Sequence, residues 1–119
     1  MNLHIDHESR IRNIQNKFNE VYPFLKIEFF KDSFIKKRLS RKAEKIDPAE
    51  KVKLVGHLNG QNKIDISKQR TVAQLEEDFR ELLGLNVQLY RKLGNLWIET
   101  SLTDDWTLEQ QNREGEFIS

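Results

Sequence analysis

From Ile11 the apolar positions recur at steps of three and four: Ile11, Ile14, Phe18 and Val21. The same intervals return at Val72, Leu75, Phe79 and Leu82, with Leu83 beside the last. Such spacing lays one stripe of a helix against a core. The second predicted helix is also punctuated. Thr71 with Gln74 forms a capping-box pattern, in which each side chain serves the other's backbone N–H. Glu76, Glu77 and Asp78 set negative charge toward the positive end of the helix dipole. Gly84 stands where a left-handed stop is wanted, and Leu85 supplies the hydrophobic contact beyond it.

After each helix the period drops to two. Leu85, Val87 and Leu89 alternate with Asn86, Gln88, Tyr90 and Lys92, as Leu25, Ile27 and Phe29 alternate with Lys26, Glu28 and Phe30. Each run predicts a strand with one inward face. A two-residue turn at Leu93-Gly94 predicts a hairpin in which Arg91 faces Leu96, Tyr90 faces Trp97 and Leu89 faces Ile98. This register gathers Val87, Leu89, Leu96 and Ile98 on the buried side and stacks Tyr90 beside Trp97 on the other.

The residues that carry this hairpin are NVQLYRK (Asn86 to Lys92), Gly94, Trp97, Glu99 and Thr100, followed by TDDWTLEQQN from Thr103 to Asn112. That pattern resembles a family of short, uncharacterised bacterial proteins. The resemblance covers the C-terminal third and implies no activity, cofactor or site residue.

Short alternating segments, Leu3-His4-Ile5 and Ile64-Asp65-Ile66, precede the two helices. Two further helix starts follow the strands, Asp47-Pro48-Ala49-Glu50 and Thr107-Leu108-Glu109-Gln110. Phe34 and Ile35 are the candidates for a strand matching Leu96 to Thr100. Val52 to Leu58 either continues the short helix, which the Asp-Pro start favours, or forms a strand, and Asn59 to Asn62 forms a turn at the midpoint. Each half then reads strand, helix, strand, strand, short helix. The expected fold is a single two-layer α+β domain over residues 1–119. It would be an internal duplication, with repeats 1–60 and 61–119 and the long helices on one face of a mixed sheet.

Composition narrows function mainly by exclusion. The chain has 119 residues, a net charge of +1 and no cysteine. Disulfides, thiolate nucleophiles and cysteine-ligated zinc are therefore ruled out. The first ten residues lack the basic and apolar regions of a signal peptide, and no apolar run reaches bilayer length, so a cytoplasmic protein without membrane contact is expected. Charge is unevenly shared: residues 1–60 hold 13 Lys and Arg against 8 Asp and Glu, whereas residues 61–119 hold 7 against 11. A dipolar chain of this kind is suited to head-to-tail association or to a partner of opposite pattern.

No catalytic or cofactor-binding constellation is present. His4, Asp6 and His7 lack the further ligands that zinc needs, GHLNG lacks the lysine and spacing of a phosphate loop, and serine-nucleophile motifs are absent. A non-enzymatic module that binds a protein partner is the leading expectation. Its candidate residues are Phe30, Tyr90 and Trp97 on one sheet face with Asp104, Asp105 and Trp106. The three aromatic residues on the sheet form either an exposed platform or, if the short helices fold over them, a second core. Asp104 and Asp105 either cap the last helix or present acid to a partner. The alternative is a small nucleic-acid-binding protein using the basic run Lys36, Lys37, Arg38, Arg41, Lys42 and Lys45.

Overall fold

A computed structural model describes residues 1–31, 34–35, 38–39, 44–56 and 62–119. Helix α1 spans Ile11–Val21 and helix α3 spans Val72–Leu83. The capping box at α3 forms as its sequence requires: the Gln74 N–H donates to Thr71 Oγ1 at 3.1 Å and the Thr71 N–H to Gln74 Oε1 at 2.9 Å. Gly84 ends α3 with φ of 64°, and the Leu85 N–H folds back to the Phe79 carbonyl. Only a glycine takes that φ without strain. Helix α1 has no such glycine and stops at Tyr22, ahead of Pro23. In both helices the fourth inward position lies one residue later than the first spacing suggests. Tyr22 and Leu83 are buried, whereas Val21 and Leu82 are exposed.

Strand β1 (Asn2–His4) pairs with β5 (Lys63–Asp65). Strands β2 (Leu25–Phe30), β6 (Asn86–Leu93) and β7 (Leu96–Glu99) form a sheet in that order. The backbones of β3 (Phe34–Ile35) and β4 (Arg38–Leu39) pair with each other. All of these pairings are antiparallel, so the expected mixed sheet is corrected to antiparallel. The cause lies in the ladder of β2 and β6. In it Glu28 stands opposite Gln88, and the two strands that share one pattern meet there head to tail.

The hairpin is displaced by two residues from the expected register. Tyr90 pairs with Glu99, Arg91 with Ile98, Lys92 with Trp97 and Leu93 with Leu96. The turn therefore consists of Gly94 and Asn95, because Gly94 supplies a φ of 60° that Leu93 would adopt only with strain. A shift of two keeps each side chain on its face, so Tyr90 and Trp97 still share one. They are diagonal neighbours rather than direct partners.

The expected match between Phe34–Ile35 and Leu96–Thr100 is also corrected. Lys45 bridges Phe30 as Glu99 pairs with Tyr90, and the Ile46 N–H donates to Phe29 O as the Thr100 N–H donates to Leu89 O. Asp47 to Glu50 forms a turn closed by Asp47, not a helix start. Helix α2 follows it as a single turn, Val52–Val55, that ends at Gly56; His57 and Leu58 of the expected helix lie outside the described residues. The remaining helices among the described residues are a 3-10 turn at Ser101–Thr103 and α4 at Leu108–Ile118, with Thr107 and Gln110 as its capping box.

One set of backbone hydrogen bonds occurs twice. Ile11 donates to Glu50, Arg12 to Pro48 and Val52 to Ser9. In the same way Val72 donates to Trp106, Ala73 to Asp104 and Leu108 to Arg70. The residues ahead of the helices form matching bridges, Arg10 with Lys51 and Thr71 with Thr107. The long helices and Leu25, Ile27, Phe29, Val87 and Leu89 share one core, in which the Phe29 and Phe79 rings meet edge to face. Burial of these side chains is the main source of stability.

Gly56 marks where α2 must end. A Cβ placed there would lie 2.5 Å from the Leu83 carbonyl oxygen and 2.9 Å from the Leu85 side chain. The carbonyl cannot swing aside, so Gly56→Ala overpacks the site. The expected loss is about 1–2 kcal/mol after the roughly 0.4–1 kcal/mol entropic gain of replacing glycine. A urea titration checks it, and an unchanged or raised midpoint would mean that α2 and α3 do not meet this closely.

Candidate interaction face of the sheet

Side chains on a strand alternate between faces. On β2 and β6 the odd-numbered residues enter the core, which leaves Lys26, Glu28 and Phe30 with Asn86, Gln88, Tyr90 and Lys92 on the other face. Trp97 and Glu99 of β7 join them through the pairings Lys92–Trp97 and Tyr90–Glu99. Helix α4 does not lie over this face. Its Gln111 accepts from Arg91 Nη1 at 2.8 Å, and Gly115 packs on Phe24 and Arg91, which belongs to the core-facing side of β6. Val52 of α2 and Leu108 of α4 likewise belong to the common core.

The face is not uniformly open. Phe30 is 5% exposed and Gln88 6%, whereas Tyr90 and Trp97 are half-buried. The ammonium of Lys26 lies 5.4 Å from the centre of the Tyr90 ring and 5.2 Å from that of Trp97, and 3.7 Å from Glu28 Oε1. Each ring contact is worth about 0.5–1 kcal/mol at such partly wet positions. Burial, reinforced by the carboxylates of Glu99 and Glu28, pushes the Tyr90 hydroxyl up to about 12. It therefore remains a neutral donor throughout the physiological range. The result is a fixed amphipathic surface: two rings held by one internal cation, with carboxylates beside them.

The sequence-predicted residues fall in different places. Tyr90 and Trp97 come together. Phe30 shares their face but is buried and lies beside Asn86, toward the far end of the ladder. Trp106 belongs to the other side of the sheet, where the Arg91 guanidinium lies 5.4 Å from its ring centre. Arg91 is held in turn by Gln111, which donates to Thr103 O at 2.7 Å and Thr103 Oγ1 at 2.8 Å. Asp104 accepts the Ala73 N–H through its backbone carbonyl, and Asp105 is exposed. Thr107, rather than either aspartate, caps α4. Threonine wins that position because the capping side chain must stand three residues before Gln110.

Of the basic run, Lys36, Lys37, Arg41, Lys42 and the side chain of Arg38 lie outside the described residues, as do Asn59 to Gln61 of the expected midpoint turn. Lys45 is exposed. Asp6 accepts hydrogen bonds from the Glu8 N–H and the Ser9 hydroxyl within a local turn. Among the described residues no group of three His, Cys, Asp or Glu side chains could hold a metal ion, and no helix is long and apolar enough to cross a membrane. Sequence reasoning missed Lys26 and Glu28. The alternation put them on the correct face, but only the register between β2 and β6 brings Lys26 opposite Tyr90.

Comparison with family models, with curated proteins and with solved structures finds no match for this chain.

Proposed function

We propose that the protein is a non-catalytic protein-binding module built by internal duplication, and that its contact surface is the Tyr90–Trp97 end of the sheet. The duplication is supported by the hydrogen bonds made twice between the start of each long helix and the segment before each short one. Two units related by a pseudo-two-fold axis through the Glu28–Gln88 pair, with both long helices on one sheet face, account for that recurrence.

One observation carries the functional reading: two large aromatic side chains stand half-exposed on a sheet face away from the helices, fixed in place by Lys26. Rigid aromatic residues lose little freedom on association and supply most of the energy of typical interfaces. Lys26 and Lys92 with Glu28 and Glu99 give both signs of charge around them, which favours a polar protein surface over an anionic polymer.

Affinity capture from a lysate of its native cells, with wild type and Trp97→Ala in parallel, tests the reading. Proteins retained by the wild type and lost by a variant of unchanged melting temperature support it. A melting temperature lowered by more than about 8 °C would place Trp97 in the core instead, and an unchanged set of captured proteins would exclude this face.

A further inference from the structure

The two halves differ in their short helices. In the second half α4 runs for 11 residues, and its middle comes down on the sheet. A Cβ on Gly115 would lie 2.8 Å from Phe24 Cβ and 3.2 Å from Arg91 Cγ, so helix and sheet are in full contact there. In the first half the matching helix, α2, stops after 4 residues at Gly56. A cavity of about 540 Å³ opens beside α2, at the end of the β2–β6 ladder. The correspondence can be followed residue by residue. Lys31 stands where Arg91 stands, since each follows the strand residue, Phe30 or Tyr90, that pairs with Lys45 or Glu99. Val55 stands where Gln111 stands, three residues after the matching Val52 and Leu108.

The lining of this cavity has two characters. Ile46, 3% exposed, and Val55 make an apolar floor, and Phe30 borders the cavity from the end of β2. Arg80 and Lys31 bring positive charge, and Asn86 brings an amide, at the rim. The Lys31 ammonium has Glu44 at 3.4 Å. Arg80 makes no ion pair among the described residues. A volume of this size, mostly apolar with a few polar groups, suits a small organic ligand.

We propose that the cavity binds a small amphipathic carboxylate, with its hydrocarbon or aryl body on Ile46 and Val55 and its carboxylate on Arg80. A guanidinium meets a carboxylate through two parallel hydrogen bonds. Inorganic phosphate would gain nothing from the apolar floor, and an uncharged alcohol would leave the guanidinium unused. The site lies at the end of the β2–β6 ladder away from Tyr90 and Trp97, so it stands or falls separately from the interaction face.

The test is a titration of the full-length protein with decanoate, 1-naphthoate and decanol, followed by backbone amide NMR. Decanoate or naphthoate should shift Phe30, Ile46, Val55, Gly84 and Asn86 saturably, with a Kd below about 1 mM. The two acids distinguish an alkyl from an aryl preference. Decanol should bind at least tenfold more weakly than the better acid. Arg80→Gln, at an exposed position, should weaken the acid at least tenfold and leave decanol unchanged. Val55→Trp, which fills the cavity, should abolish both. The proposal is overturned if decanol binds as tightly as the acids, if Arg80→Gln has no effect, if the shifted amides lie elsewhere, or if neither acid saturates.

Discussion

Phe79→Ala is expected to destabilise the protein by about 4 kcal/mol, as for other fully buried phenylalanines. Phe79 is wholly inaccessible, and its ring meets Phe29 edge to face at 5.5 Å between centres. Removing it leaves a cavity between α3 and β2, where Phe29 is pinned by its own strand and cannot move in to fill the space. A domain of this size has roughly 5–15 kcal/mol in total, so the variant should retain only a small margin. Chemical denaturation reads the change as a lower midpoint at unchanged slope. A loss under about 1.5 kcal/mol would mean that the site collapses freely and that the helix-to-sheet packing is looser than described. Phe117→Ala is the control: at 87% exposed it should change stability by no more than about 0.5 kcal/mol.

The second large effect depends on pH. The carboxylate of Glu76 on α3 is half-buried, with the Leu89 backbone among the groups acting on it. Burial, with Asp104 nearby, pushes this carboxyl up from 4.5 to about 7, against the opposing effects of the Leu89 hydrogen bond and Arg80. A carboxyl whose folded value is raised prefers to be neutral in the folded state. Its favourable contribution is complete below pH 4.5 and is lost as pH rises through about 7. Glu76→Gln keeps an acceptor for Leu89 and carries no charge. It should therefore match the wild type near pH 4 and be more stable at pH 8 by on the order of 2–3 kcal/mol. Midpoints of denaturation at the two pH values read this directly. An equal effect at both would show that Glu76 acts by packing alone. Gln15, four residues into α1 as Glu76 is into α3, donates to Ile27 O at 2.9 Å. The first half thus has a neutral side chain at the corresponding place.

Legibility in the sequence followed the range of the forces concerned. The limits of α3 could be read because Thr71, Gln74 and Gly84 act within one turn of themselves. Strand faces could be read because alternation is a local geometric fact, and an error of two in the hairpin register left each side chain on its face. Partners were less accessible. The choice of Gly94-Asn95 over Leu93-Gly94 rests on which residue bears the positive φ, and both options contain the glycine. Asp47-Pro48 misled because a proline-led turn and a proline-led first helical turn begin alike. At the interaction face, the shared placement of Tyr90 and Trp97 was legible, whereas the burial of Phe30, the distance of Trp106 and the cation between the rings were not. Each depends on contacts between segments far apart in the chain.

The pairing of β1 with β5 and of β2 with β6 also governs how the chain can fold. Leu3 meets Ile64, and the central ladder joins Leu25 to Arg91 and Phe30 to Asn86. Neither half closes these sheets by itself, so the entropy of bringing the distant segments together is spent before most of the ladder forms. A chain organised this way is expected among the slower single-domain folders. Its helices and the β6–β7 hairpin can flicker early, but the ladders of β1 with β5 and of β2 with β6 are protected from exchange only when strands of both halves meet.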